Sequence, residues 1–177
     1  MVNNRSTNFI VINYINSIDR ILNQAHSEID AVTETDSISY DFINQILPYQ
    51  KAALRIAEQT LRYTKRQQVL SVARLVNSKY PEIMADLQKI KNLSGKFKNC
   101  YECTKKYHKG FRQITEQTFL NFKKINRNQN INSYFLSLME EYHQSQNKML
   151  ESLLKYRICP QLRLIAEYML CLNKKDT

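Results

Sequence analysis

The 177-residue chain predicts an all-α fold made of two related triplets of helices. Three observations point there. Only two glycines and three prolines are present, too few for the turns of an all-β fold. Apolar residues recur at helical spacing along six segments. A long helical pattern also occurs twice in one ungapped register. Phe42-Ile43-Asn44-Gln45-Ile46-Leu47-Pro48-Tyr49-Gln50 begins the first copy, and Phe135-Leu136-Ser137-Leu138-Met139-Glu140-Glu141-Tyr142-His143 begins the second. Tyr49 then aligns with Tyr142, Glu58 with Glu151, Leu61 with Leu154, Tyr63 with Tyr156, Gln68 with Gln161 and Ala73 with Ala166. A register shared through two successive helices implies duplication of a helical unit. One domain over 1–177 is expected, with an internal repeat over 1–91 and 97–173.

The first helix is expected from Thr7 to Glu28, where Val11, Ile15, Ile18, Leu22, Ala25 and Ile29 form the stripe. Asp30 to Ser39 is a polar connector rich in cap and turn formers. A second helix runs from Ser39 to Tyr63, with Ile43, Ile46, Leu47, Ala53, Leu54, Ala57 and Leu61 on one side. Pro48 lies inside it and lacks an N–H, so a bend or a local gap in bonding is expected. Gln50 interrupts its apolar stripe. A third helix spans Arg66 to Ile90 on a near-heptad stripe from Val69 to Ile90, with Pro81 predicting a kink or break.

Asn92-Leu93-Ser94-Gly95-Lys96 marks the midpoint turn. A fourth helix follows from Phe97 to Asn126, with Cys100, Tyr107, Phe111, Ile114, Phe122 and Ile125 on its apolar face. Asn126 to Asn130 is a polar loop. The fifth helix spans Asn132 to Tyr156, lined by Phe135, Leu138, Met139, Tyr142, Met149, Leu150 and Leu153. Ile158-Cys159-Pro160 starts the sixth, since proline suits the first helical turn. A charged tail, Lys174-Lys175-Asp176, ends it.

The formal charge of +10 suits either a solvated lysine-rich surface or attraction to a polyanion. The positives are densest from Lys89 to Lys109, without a helix-turn-helix or RNA-binding aromatic motif. The N-terminus lacks the apolar core of a signal peptide, and no segment reaches membrane-spanning length. A cytoplasmic protein without membrane insertion is therefore expected. In a reducing compartment Cys100, Cys103, Cys159 and Cys171 would be thiols.

The segment from Phe42 through Pro48, Ala53, Ala57 and Glu58, followed by Val69, Ala73, Glu82 and Ile83, resembles domain-of-unknown-function family 305. The second copy is similar through Phe135, Met139, His143, Met149, Pro160, Leu162, Ile165 and Ala166. The resemblance covers most of Asp41 to Ile90 and Tyr134 to Leu170. It implies a ferritin-like helical bundle, with paired histidines and a nearby methionine as metal ligands, some members being tied to copper or other metal handling. The family's two histidines fall at Tyr49 and Gln50 in the first copy, and its methionine falls at Ile56. In the second copy Tyr142 replaces the first histidine, while His143 and Met149 match. The resemblance thus implies a kept scaffold and a depleted site, with His143, Met149, Met139 and Glu82 as the surviving metal candidates.

Imidazole and thioether suit a soft metal such as copper, but methionines at helical spacing also fill cores. Glu140-x-x-His143 has the spacing of di-iron bundles, yet Leu47-Pro48-Tyr49-Gln50 occupies the matching position. Cys100-x-x-Cys103 with His108 suggests zinc or redox chemistry, but structural zinc wants a second tight pair. Structural or incidental cysteines are therefore expected, with Cys100 an ordinary buried thiol on the apolar stripe. Gln50 and Tyr142 mark either the remnant of a polar pocket or a hydrogen-bonded pair in an apolar core, the second being expected. The sequence shows no phosphate loop, nucleophile elbow or carboxylate dyad. The expected function is a non-enzymatic structural or interaction protein, acting with a protein partner or a second copy of itself. A metal-binding or storage protein is the alternative, and a nucleic-acid or polyanion binder the second.

Overall fold

A computed structural model describes residues 3–174, and the side chains of residues 8–173. Met1, Val2, Lys175 and Asp176, parts of the N-terminal segment and the charged tail considered above, lie outside the described residues. Six helices follow in order: α1 (Asn3–Asp30), α2 (Ile38–Thr60), α3 (Gln67–Ser94), α4 (Tyr101–Lys124), α5 (Ile131–Leu154) and α6 (Pro160–Lys174). No strand occurs among the described residues. The all-α expectation holds. Among the described residues no helix is long and apolar enough to cross a membrane.

Local chemistry sets the helix ends. Ser37 is the N-cap of α2, its hydroxyl oxygen accepting from the Tyr40 N–H at 3.2 Å while the hydroxyl donates to the Ser94 carbonyl at 2.8 Å. One side chain thereby starts α2 and ties it to the end of α3. Asn130 caps α5 in the same way, accepting from the Ser133 N–H at 3.0 Å. Pro160 opens α6, where its missing N–H has no intrahelical partner to lose.

Helix α2 packs between α1 and α3, and α5 between α4 and α6. The two central helices face each other, while α3 rests on α6 and α1 touches α4. The core runs through this stack and includes fully buried Ile18, Ile38, Phe42, Ile43, Phe135, Leu150, Leu153 and Leu162. Asn99 fastens one end of the bundle. Its N–H donates to the Asp36 carbonyl, its side-chain oxygen accepts from the Ile38 N–H, and its amide donates to the Arg157 carbonyl. Three connecting segments thus share one residue.

An interval of 93 residues recurs across the fold. It separates Tyr49 from Tyr142, whose rings stack. The same interval relates the starts of α2 and α5, at Ile38 and Ile131, and those of α3 and α6, at Gln67 and Pro160. It carries the edge-on Tyr14–Tyr63 pair (5.6 Å) onto the edge-on Tyr107–Tyr156 pair (5.7 Å). His26 and Phe119, again one interval apart, stack on each other at 4.1 Å.

Several expectations need correction. Pro81 lies inside a helix that continues to Ser94, so it does not break α3, and α2 likewise runs on through Pro48. Proline removes one donor per helix, and tertiary packing on both sides outweighs that loss. Helix α3 runs to Ser94 rather than ending at Ile90, which shifts the midpoint turn to Gly95 and Lys96. Helix α4 starts at Tyr101, not Phe97. Cys100 is therefore its exposed N-cap and lies off the apolar face. Cys100 and Cys103 are joined in a disulfide rather than being free thiols. The N-cap and third helical positions bring the two Cα atoms to 5.1 Å, inside bridging range. Cys159 and Cys171 are free.

The Ser37 cap supplies a direct test. Ser37→Ala removes the hydroxyl that bonds both the Tyr40 N–H and the Ser94 carbonyl, and should lower unfolding free energy by about 1–2 kcal/mol in urea titration.

Candidate functional site: the buried tyrosine centre

The two central helices meet at Tyr49 on α2 and Tyr142 on α5. Their rings stack with centroids 4.2 Å apart and planes 12° from parallel. The Tyr49 hydroxyl donates to the Tyr142 carbonyl at 3.1 Å, and the Tyr142 hydroxyl donates to the Tyr49 carbonyl at 3.2 Å. Each residue makes to the other the contact it receives. Burial, together with Tyr80 and Glu141 beside Tyr49 and with Tyr80 and Tyr49 beside Tyr142, pushes both phenols well above their ordinary range. Both therefore stay protonated and keep donating.

The neighbouring positions divide differently. His143 is buried, and its Nε2 lies 3.1 Å from the Tyr80 hydroxyl. Gln146 donates to the Tyr142 hydroxyl at 3.2 Å and accepts from Asn173 at 2.7 Å, extending a polar line from α5 to α6. Gln50 is fully buried, and neither atom of its amide has a hydrogen-bond partner. The expected hydrogen bond between Gln50 and Tyr142 is not made. The Tyr142 hydroxyl donates to the Tyr49 carbonyl instead.

Of the metal candidates, Met139, His143 and Met149 are buried on α5. Glu82 faces solvent on α3 and pairs with Lys79 at 3.2 Å. Glu140, the acid of the di-iron-like spacing, is exposed. Among the described residues no group of three or more His, Cys, Asp and Glu side chains is arranged to hold a metal ion. His108, considered beside the cysteines for zinc, turns to Asp41, with Nε2 and Oδ2 3.0 Å apart. The lysine-rich stretch is partly neutralised. Lys89 pairs with Asp86 and Lys98 with Asp36, while Lys91 lies over the Tyr40 ring and Lys105 over Tyr101.

The sequence alone missed Tyr80 and Asp41 as members of these polar clusters. Tyr80 lies on the stripe of α3 and reads as core filling. Asp41 lies in the first turn of α2, where an acid suits the helix dipole without any further role. No family model, curated protein or solved structure matches this chain.

Two outcomes follow from this geometry. Gln50→Met keeps an unbranched side chain and removes two unpaired polar atoms, so it should raise unfolding free energy by about 1–3 kcal/mol. The second concerns pH. Burial pushes the His143 imidazole down from 6.5 to about 4. A base with a depressed folded value stabilises fully above its unfolded value, because the folded state holds it neutral. That contribution is lost as pH falls from about 6.5 toward 4, where the unfolded chain takes up the proton first. At about 1.4 kcal/mol per unit the loss approaches about 3 kcal/mol. Unfolding titrations across this range should give a shallower acid dependence in His143→Gln than in the natural chain.

Proposed function

We propose that this protein is a non-enzymatic helical scaffold of two related three-helix halves, ferritin-like in arrangement, with its metal position closed by aromatic packing. The single observation that carries the reading is the reciprocal Tyr49–Tyr142 contact. Under a two-fold relation a residue meets its own counterpart, and each gives the contact it receives. The His26–Phe119 stack and the matched Tyr14–Tyr63 and Tyr107–Tyr156 pairs support the same axis.

Under the resemblance to family 305, Tyr49, Gln50, Tyr142 and His143 stand where paired imidazoles would lie. Two of these positions stack and bond each other's backbone. A third is an amide, a hard and weak donor for copper. The fourth is an imidazole engaged with Tyr80. This donor set fits a rigid core better than a metal centre. Its role is then to present a fixed helical surface to a protein partner or a second copy of itself.

Metal binding is the second reading, favoured by the burial of His143, Met139 and Met149 on one helix. Elemental analysis and copper titration separate the two. The scaffold reading expects no stoichiometric metal in the purified protein. It also expects a Tyr49→His, Gln50→His, Tyr142→His variant to bind copper at least about tenfold more tightly than the natural chain. Tight stoichiometric copper in the natural protein, abolished by His143→Ala, would overturn it.

A further inference from the structure

The motif Cys100-Tyr101-Glu102-Cys103 at the start of α4 serves neither the core nor the tyrosine centre. Its two sulfurs are joined, with Cys100 exposed and Cys103 half-buried. Tyr101 between them is 74% exposed, so this turn stands open to solvent. The Cys103 N–H donates to Cys100 Sγ at 3.2 Å. That sulfur fills the place taken by the capping oxygens of Ser37 on α2 and Asn130 on α5.

A purely structural bridge is a poor account of this pair. The cysteines are three residues apart within one helical turn, so the cross-link withholds little freedom from the unfolded chain. The residue before the motif, Asn99, already fastens this end of the bundle through its own hydrogen bonds. Sulfur is also a weaker acceptor than the oxygens that usually cap helices. What the position offers a sulfur is support for negative charge. An N–H points at Cys100 Sγ, and the unpaired amides of a first helical turn favour a thiolate there.

We propose that Cys100 and Cys103 form a thiol–disulfide exchange site that takes small thiols, with Cys100 the sulfur attacked. The thiolate of a small thiol attacks Cys100 Sγ. The bond between the cysteines breaks, and its electron pair leaves on Cys103 Sγ, which takes up the proton the thiol lost. A mixed disulfide remains on Cys100. A second thiolate attacks the outer sulfur of that mixed disulfide, and Cys100 leaves as the thiolate that the Cys103 N–H supports. Two thiols have become one small disulfide, and the cysteine pair has gained two electrons. The second proton passes to Cys100 or to solvent. A small disulfide runs the same steps in reverse and restores the bridge. The site uses no residue of the tyrosine centre and does not rest on the scaffold reading.

The test uses the full chain carrying Cys171→Ser, which removes the exposed free thiol. It is equilibrated with mixtures of reduced and oxidised glutathione, quenched with iodoacetamide and read by mass spectrometry. Reversible interconversion of bridge and dithiol, with the helical circular dichroism kept in both forms, is the expected result. In the same background Cys103→Ser leaves Cys100 alone, and Cys100→Ser leaves Cys103 alone. Serine is itself a good N-cap, so both variants should fold, as circular dichroism can verify. With oxidised glutathione, Cys100 should form its mixed disulfide at least about fivefold faster than Cys103. A bridge that resists excess glutathione, reduction that occurs only with loss of helix, a dithiol that oxidised glutathione does not close, or equal rates for the two single cysteines would each overturn the proposal.

Discussion

Two phenol rings lie face to face where α2 crosses α5, and each hydroxyl holds the other helix by a backbone carbonyl. This contact constrains the fold more tightly than apolar packing would. Apolar side chains allow one helix to slide along another with modest repacking. A pair of hydroxyl-to-carbonyl bonds, one running each way, fixes both distance and rotation. Helix α2 carries α1 and α3, and α5 carries α4 and α6, so the crossing of the central pair positions the other four helices. The His26–Phe119 stack repeats the arrangement between α1 and α4.

The chain places chemistry in its core that a purely apolar bundle would avoid. Gln50 holds an unpaired amide in full burial, and His143 is neutral because it is buried. Asp41 is a fully buried carboxylate, held by Thr35 and His108. These departures divide into two places with different characters. The tyrosine centre is closed and internally bonded, and it reads as structure. The His108 cluster borders an acidic cleft, with both ring nitrogens buried.

Much of the helical architecture was legible because its determinants are local. The stripes of α1 and α5, the cap formers around Ser37, and Pro160 at the start of α6 act within a turn or two of the chain. The shared register of Tyr49 and Tyr142 was also readable, but the sequence could not show that the two rings touch. Asn99 was silent, because its partners lie 58 and 61 residues away and the expected fourth helix took it in as an ordinary polar residue. Cys100 was misplaced because the apolar Phe97 drew the predicted start of α4 into the preceding turn. That shift put a capping cysteine on a core stripe and hid the bridge to Cys103. Asp41 and His108 were legible as residues but not as neighbours, since their pairing depends on how α2 packs against α4.

A double-mutant cycle on the central pair tests this account most directly. Unfolding free energies of Tyr49→Leu, Tyr142→Leu and the double variant would be measured in urea. The reciprocal contact predicts similar single losses and a double loss smaller than their sum by about 1 kcal/mol or more. Unequal single effects that simply add would mean that the two residues act independently, and would contradict the claim that this pair fixes α2 against α5.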